Sequence, residues 1–589
     1  IGFDAMTTNT AGGTRNIAIG NYALDAHTSG DDNVAVGYQS MTTNTTGSNN
    51  TAIGKGSLSL NTTGASNTAL GFKALEANTN ADDNTAVGKS ALTANTTGAS
   101  NTALGKGALQ ANTTADNNTA VGVSALTANT TGAANTTTGF ESLNANTTGE
   151  QNTAIGYRAL LLNTTGAGNV AVGHSALDSN TTADGNMAFG FQSLAANTTG
   201  TRNTAIGYQA YKASDTENDN IAIGFQAMTV NTAGGEKNVA VGNYALDALT
   251  SGDSNVAVGY RALSTNTTGH NGAAVGVDAL FLNTTGTHNT AHGSTALYAN
   301  TTGGANVAVG SRAMEGNTTA ASNIAVGYKA LFTNTTGANN VAIGREALYT
   351  NNASDNTAVG DDALLANTTG TGNAAVGALA MTTNTTASNN TALGYAAMKL
   401  NTTGTRNVAV GRTAMHTNTT GNDNAALGYL ALYTNSTGAE NTAVGSDALK
   451  LNTEGDENTA VGRSALAANT TGEYNAAFGK YALTANTTGN HNVAIGRNNM
   501  IANTTGVRNI AIGSNAYDAS DTEDDNIAIG YNAMTADSAG GTKNIALGNY
   551  AAVSMTSGDQ NTIIGYEAAG SLNEGSNNVM IGARAGFDT

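Results

Sequence analysis

Apolar residues recur along this chain with a fixed spacing of 17 residues. Between Asn84 and Ser100 the order is Asn84-Thr85-Ala86-Val87-Gly88, then Lys89-Ser90-Ala91-Leu92-Thr93-Ala94, then Asn95-Thr96-Thr97-Gly98, before the unit begins again at Asn101. Units start at Asn16, Asn33, Asn50, Asn67 and Asn84 and continue to Asn578; Gly272 is the one start that is not Asn, and there are 34 complete or partial copies. Counted from the start of each unit, position 2 is mostly Thr, Val or Ile, position 3 nearly always Ala, position 4 Val, Ile or Leu with few exceptions, and position 5 always Gly. Alternation places positions 2 and 4 on one face of a strand and Ala on the other. Both faces read as apolar, which predicts a strand covered on both sides.

A period this short cannot bury its own apolar side, so successive units must stack into a solenoid. Gly88 and Gly105, at position 5, mark the corner where the chain leaves the strand. Ala91-Leu92, at positions 8 and 9, read as a second short strand, because six residues between turn signals are too few for a stable helix. Asn95 to Gly98 form the next corner. The fold class predicted is therefore all-β: a parallel β-solenoid, a roll with one two-stranded coil per 17 residues, about 35 coils and roughly 170 Å of rod at 4.8 Å per coil. One continuous array is expected over residues 1–589, and, since it starts within a unit at Ile1, it is expected to be a piece of a longer fibrous protein. Stacking predicts axial amide ladders through Asn84, Asn101 and their equivalents, and through Asn95 and Asn112.

Departures from the period locate the exposed corner. Spacings of 18 residues separate Asn220 from Asn238 and Asn526 from Asn544, each through A-G-G, and a spacing of 16 separates Asn340 from Asn356. All fall at or beside the N-T-T-G corner, where inserted backbone meets solvent. The segment Asn203–Gly259 recurs 306 residues later as Asn509–Gly565, so duplication proceeded by whole coils.

The motifs N-T-A-V-G and N-V-A-V-G resemble the head repeats of YadA-like trimeric autotransporter adhesins. The array is equally similar to phage tail-fibre repeats that carry G-Y-Q-A-L and N-T-T-G, as at Gly207–Ala210 and Asn197–Gly200. The resemblance covers the whole chain and implies a left-handed β-roll, a homotrimer or higher fibrous assembly, and attachment to an unknown surface receptor or glycan. The 17-residue unit is longer than the usual adhesin head coil.

Composition narrows the function. A net charge of -18 with 23 scattered basic residues argues against a nucleic-acid groove. There is no Cys, hence no disulfide and no thiolate metal site, and no apolar run reaches the 18 residues of a membrane span. Gly88-Lys89-Ser90 lacks the upstream Gly of a nucleotide loop, the seven His are isolated, and no G-x-S-x-G elbow occurs. No catalytic or cofactor-binding residue is expected, and the chain reads as a non-enzymatic extracellular fibre segment on a cell surface or virion; the alternative is a purely structural filament or surface-layer spacer. Ice binding is a lesser rival, since the paired Thr sit in a turn rather than on a flat strand.

A few residues carry candidate chemistry. Asp215, Glu217 and Asp219, with Asp521, Glu523, Asp524 and Asp525, offer oxygen ligands for Ca²⁺, although they match no calcium-loop spacing and read first as solvated acidic corners. Tyr211 and Tyr517 precede them in place of Leu or Met. His292 stands at position 4, expected as a buried, hydrogen-bonded side chain, or as a metal or pH site if three copies meet there. N-T-T is also a glycosylation sequon, as at Asn95, Asn112 and Asn129.

Overall fold

The computed structural model describes residues 1–536 and 540–587. It divides into two compact units, one comprising Ile1–Ser294 with Asn300–Thr302 and the other Thr295–Ala299 with Gly303–Thr589. Each coil contributes one three-residue strand, numbered in chain order from β1 (Ile17–Ile19) to β34 (Val579–Ile581). The first unit carries the strands through β17 (Thr290–His292) and the second those from β18 (Val307–Val309) onward. Both are parallel β-solenoids, and no helix occurs among the described residues.

Within each unit, neighbouring strands pair in parallel with equivalent positions aligned. In the first unit Thr85, Ala86 and Val87 lie against Thr102, Ala103 and Leu104; in the second Thr442, Ala443 and Val444 lie against Thr459, Ala460 and Val461. Ala is buried at the centre of nearly every strand, while the residues on either side are half-buried or exposed. The strand is thus covered on one face only, and the expected cover on both faces is not present within a unit.

The second predicted strand is absent among the described residues. Ala91 and Leu92 are both fully buried, and adjacent side chains of a strand cannot point the same way. The backbone solves this with left-handed residues at positions 7 and 9: Ser90 has φ 60° and Leu92 φ 52°. Hydrogen bonding to neighbouring coils persists through the reversal. Gly88 and Ser90 donate to the preceding coil, at Leu70 O (2.8 Å) and Phe72 O (2.9 Å), whereas Leu92 and Ala94 donate to the following one, at Ala108 O and Gln110 O (3.0 Å each). A left-handed Leu costs about 1–2 kcal/mol. Its complete burial contributes about 1.5–3 kcal/mol, which offsets the strain in each coil.

Position 5 needs Gly for two reasons. Gly105 has φ 142°, and a Cβ there would stand 2.3 Å from Gly122 O of the next coil. The coils therefore stack backbone on backbone at this corner.

Polar groups line the rest of the interior. Asn101 N–H donates to Asn84 Oδ1 (2.9 Å), and Asn84 Nδ2 donates across the coil to Gly98 O (3.0 Å). At the opposite corner Asn95 Nδ2 donates to Gly98 O (2.8 Å), and Asn112 Nδ2 donates to Asn95 Oδ1 (2.8 Å). Each Asn closes its own coil and contacts the next, so two amide columns flank the Ala and Leu core.

Candidate binding surface

The outer face of the sheet is built from positions 2, 4 and 6, which project away from the buried Ala. Its position-4 row is apolar despite its exposure: Leu70, Leu104 and Ile155 in the first unit, and Leu393, Leu427 and Phe478 in the second, have roughly two-fifths to half of their surface in solvent, while positions 2 and 6 mix apolar side chains with Thr and charged residues such as Lys89 and Arg345. Apolar surface exposed over many coils in a row exceeds what a monomeric soluble protein ordinarily leaves uncovered.

In the first unit position 6 adds an aromatic column. Phe140, Tyr157, His174, Phe191, Tyr208 and Phe225 follow one another with ring centroids 5.5, 4.8, 5.2, 5.2 and 5.1 Å apart. Beside it, at position 7, Gln209 Nε2 donates to Gln192 Oε1 (2.9 Å) and Gln226 Nε2 to Gln209 Oε1 (3.2 Å). Sequence reasoning missed this column, although an aromatic or His repeating every 17 residues from Phe140 was its signal. The rings face one another along the stack, so their edges and the tyrosine hydroxyls face solvent.

The acidic corners do not bring their carboxylates together. Glu217 turns inward and is 2% exposed. Its Oε2 accepts from Ser214 Oγ (3.0 Å), Asp215 N (3.0 Å) and Thr216 N (3.2 Å), and its Oε1 accepts from Gly234 N of the following coil (3.2 Å). Asp215 accepts from the Thr198 hydroxyl. Asp219 forms a bidentate pair with Arg202, at 2.6 and 2.8 Å, and the guanidinium holds its carboxyl below the usual range. The second copy repeats this arrangement. Glu523 accepts from Ser520, Asp521, Thr522 and Gly540, Asp524 accepts from Val507 N, and Asp525 pairs with Arg508. These side chains therefore cap backbone and join coils. Among the described residues no group of three or more His, Asp or Glu is arranged to hold a metal ion.

Tyr211 is fully buried, and its hydroxyl accepts from Asn220 Nδ2 (2.5 Å) and Asn231 Nδ2 (3.0 Å). Burial pushes its phenol far up. Asn526 Nδ2 likewise donates to the Tyr517 hydroxyl. The reading of these corners as solvated loops is corrected at Glu217 and Glu523, whose neighbouring amides draw them inside. The A-G-G of the coil begun at Asn526 starts at Ala539, outside the described residues.

His292 is exposed on the outer side of β17, and Ala291 takes the interior place, so the expected burial of His292 is also corrected. The sequon asparagines Asn95, Asn112 and Asn129 are fully buried with Nδ2 engaged in the corner column, which leaves no room for a glycan on the folded chain. A different His does lie inside. His27 occupies the column position of Asn, with Nε2 3.1 Å from Asn16 Nδ2, and burial lowers its pKa.

No protein-family model matches the chain, and no curated protein is similar to it beyond chance.

Proposed function

We propose that this chain is a non-enzymatic, extracellular fibre segment that attaches to a surface or host cell through its repeated outer sheet face. The observation carrying this reading is the exposed or half-buried row at position 4, apolar in nearly every one of the 17 strands of each unit, which runs for about 80 Å at 4.8 Å per strand. Identical weak contacts repeated on one scaffold gain avidity without any single strong site. An apolar face of this extent also favours self-association, as a homotrimer or a higher fibrous assembly covering part of it. Residence on a cell surface or virion is part of the same proposal. Binding of the purified chain to a panel of cell surfaces and glycans tests it: saturable binding is expected, and none across the panel overturns it. Light scattering tests the assembly, which a sole species near 58.5 kDa would refute.

The second reading is a structural spacer, favoured by the amide columns, which over long runs of coils stiffen each unit without requiring a ligand. It predicts assembly with no saturable binding. Ice binding gains one observation, a Thr column at position 2 from Thr51 to Thr153 on the outer face. Bulky, uneven neighbours such as Leu70 and Phe72 interrupt its flatness, and absence of thermal hysteresis is expected.

A further inference from the structure

Two clefts open side by side in the first unit, on the coils that start at Asn84, Asn101 and Asn118. One, of about 240 Å³, is lined by Lys89, Ser90, Lys106, Gly107, Gln110 and Ser124. The other, of about 420 Å³, lies between Thr93, Ala111 and Ala128 and shares Gln110. Gly107 makes the first cleft. Its flanking equivalents are Ser90 and Ser124, and a Cβ on Gly107 would stand 3.4 Å from Gln110 Oε1, so any side chain there would fill the space.

The chemistry of the cleft is cationic in a chain of net charge -18. Lys89 and Lys106 are exposed, one coil or about 4.8 Å of backbone apart, and form no ion pair among the described residues. The neighbouring Lys73 is neutralised by Glu76 at 3.1 Å, while Lys89 rests its ammonium over the Phe72 ring, 5.9 Å from the centroid. Two adjacent ammoniums without a carboxylate attract an anion. The Ser90 and Ser124 hydroxyls and the Gln110 amide make no hydrogen bond to protein among the described residues, and they face the same space.

We infer that the paired clefts bind an anionic glycan, with a sulfate or carboxylate between Lys89 and Lys106 and sugar hydroxyls on Ser90, Ser124 and Gln110. The next sugar ring lies in the Thr93–Ala128 cleft. Neutral donors and acceptors around a single pair of cations suit a polyhydroxylated anion. The clefts offer no deep apolar slot for an acyl chain, which disfavours a lipid. The inference rests on the attachment reading and names its receptor class.

The test measures binding of the full chain to sulfated dextran, to hyaluronan as a carboxylated probe, to neutral dextran, and to phosphatidylglycerol vesicles. Saturable binding to a charged glycan is expected, weakened by salt and absent for neutral dextran. K89Q/K106Q should weaken it at least tenfold. G107Q should do the same with both lysines intact; Gln192, Gln209 and Gln226 already hold that coil position at φ 51–52°, so the coil accepts Gln. Lys480→Gln, at the same coil position in the second unit, should change nothing. Unchanged binding by K89Q/K106Q or G107Q, equal loss in K480Q, equal binding of neutral dextran, or preference for the vesicles would each overturn the site. Cell attachment without charged-glycan binding would refute this inference and leave the attachment reading standing. Glycan binding without attachment to any cell would uphold this inference and count against the cell-attachment part of that reading.

Discussion

The corner at Asn95–Gly98 and the corner at Ser214–Glu217 occupy the same place in their coils and are closed by opposite means. In the first, Asn95 bonds its own coil and the coils on either side. In the second, Ser214 replaces the Asn and its hydroxyl donates a hydrogen bond to Glu217, whose carboxylate satisfies its own turn. The column stops there: Asn197 Oδ1 of the preceding coil is buried without a hydrogen-bond partner. The second copy behaves alike, with Asn503 Oδ1 left unpaired before Ser520. Each acidic corner immediately precedes an 18-residue coil. At the 16-residue coil the column also fails, at Asn334 Oδ1. An amide column demands equal coil lengths because each Asn must meet its equivalent. Length changes therefore sit where the column is interrupted, and Glu217 with Tyr211 joins the mismatched coils by reaching Gly234, Asn220 and Asn231.

The comparison is broken most severely by Glu217→Ala, which strands one hydroxyl and three amide donors. Local stability should fall by about 4 kcal/mol, given about 1–3 kcal/mol per unsatisfied buried group and partial rescue by solvent. Hydrogen exchange should show the amides of 215, 216 and 234 opening while their equivalents at 521, 522 and 540 stay protected. Asn112→Ala in a regular corner should cost somewhat less, about 2–3 kcal/mol. It removes the donor to Asn95 Oδ1 and the acceptor for Asn129, and exchange should rise in the coils on both sides rather than within one corner. Tyr211→Phe keeps the ring and removes the hydroxyl between Asn220 and Asn231, for a loss of about 1–2 kcal/mol read as faster exchange near Asn231.

The smallest effects are those of pH. Asp219 and Asp525 have their pKa lowered by Arg202 and Arg508, so their contribution is present above the ordinary Asp value near 4 and is lost as pH falls through the lowered values. A regular corner without such a pair, as at Asn95–Gly98, should show no such acid response in local exchange, whereas the regular corner at Asn418–Gly421, beside the Arg406–Asp423 pair, should share it. His27 acts at higher pH. Its folded pKa is lowered, so below about 6.5 the unfolded chain takes up a proton that the folded chain refuses, and stability declines with falling pH until the folded value is passed. His27→Asn should abolish the response between about pH 5 and 7 in the coil begun at Asn16.

Much of this architecture was legible in the sequence. The invariant Gly105 and the recurring Ala86 announce one strand and one corner per coil, and Asn84 and Asn95 recur at the spacing that stacking requires. The second strand was expected because six residues between turn signals are too few for a helix; Ala91 and Leu92, adjacent and both buried, cannot share one face of a strand, and two inward neighbours require a left-handed residue. The inward turn of Glu217 was hidden because it occurs in one coil per long repeat, amid acids that resemble a solvated loop. The joint replacement of Leu by Tyr211, Asn by Ser214 and Gly by Glu217 before a lengthened coil was its signal. Lys89 and Ser90 were weighed only as a nucleotide loop, and the cleft depends on Gly107 one coil away.

The relation between column and coil length is tested most directly by rebuilding the first acidic corner as a regular one, with Tyr211→Leu, Ser214→Asn and Glu217→Gly together, and by comparing that variant with one that also lacks Gly234. Hydrogen exchange at residues 231–236 is the readout. The account predicts that the triple variant loosens this segment and that deletion of Gly234 restores protection to the level of Asn95–Gly98. Full protection in the triple variant with the 18-residue coil intact would contradict it.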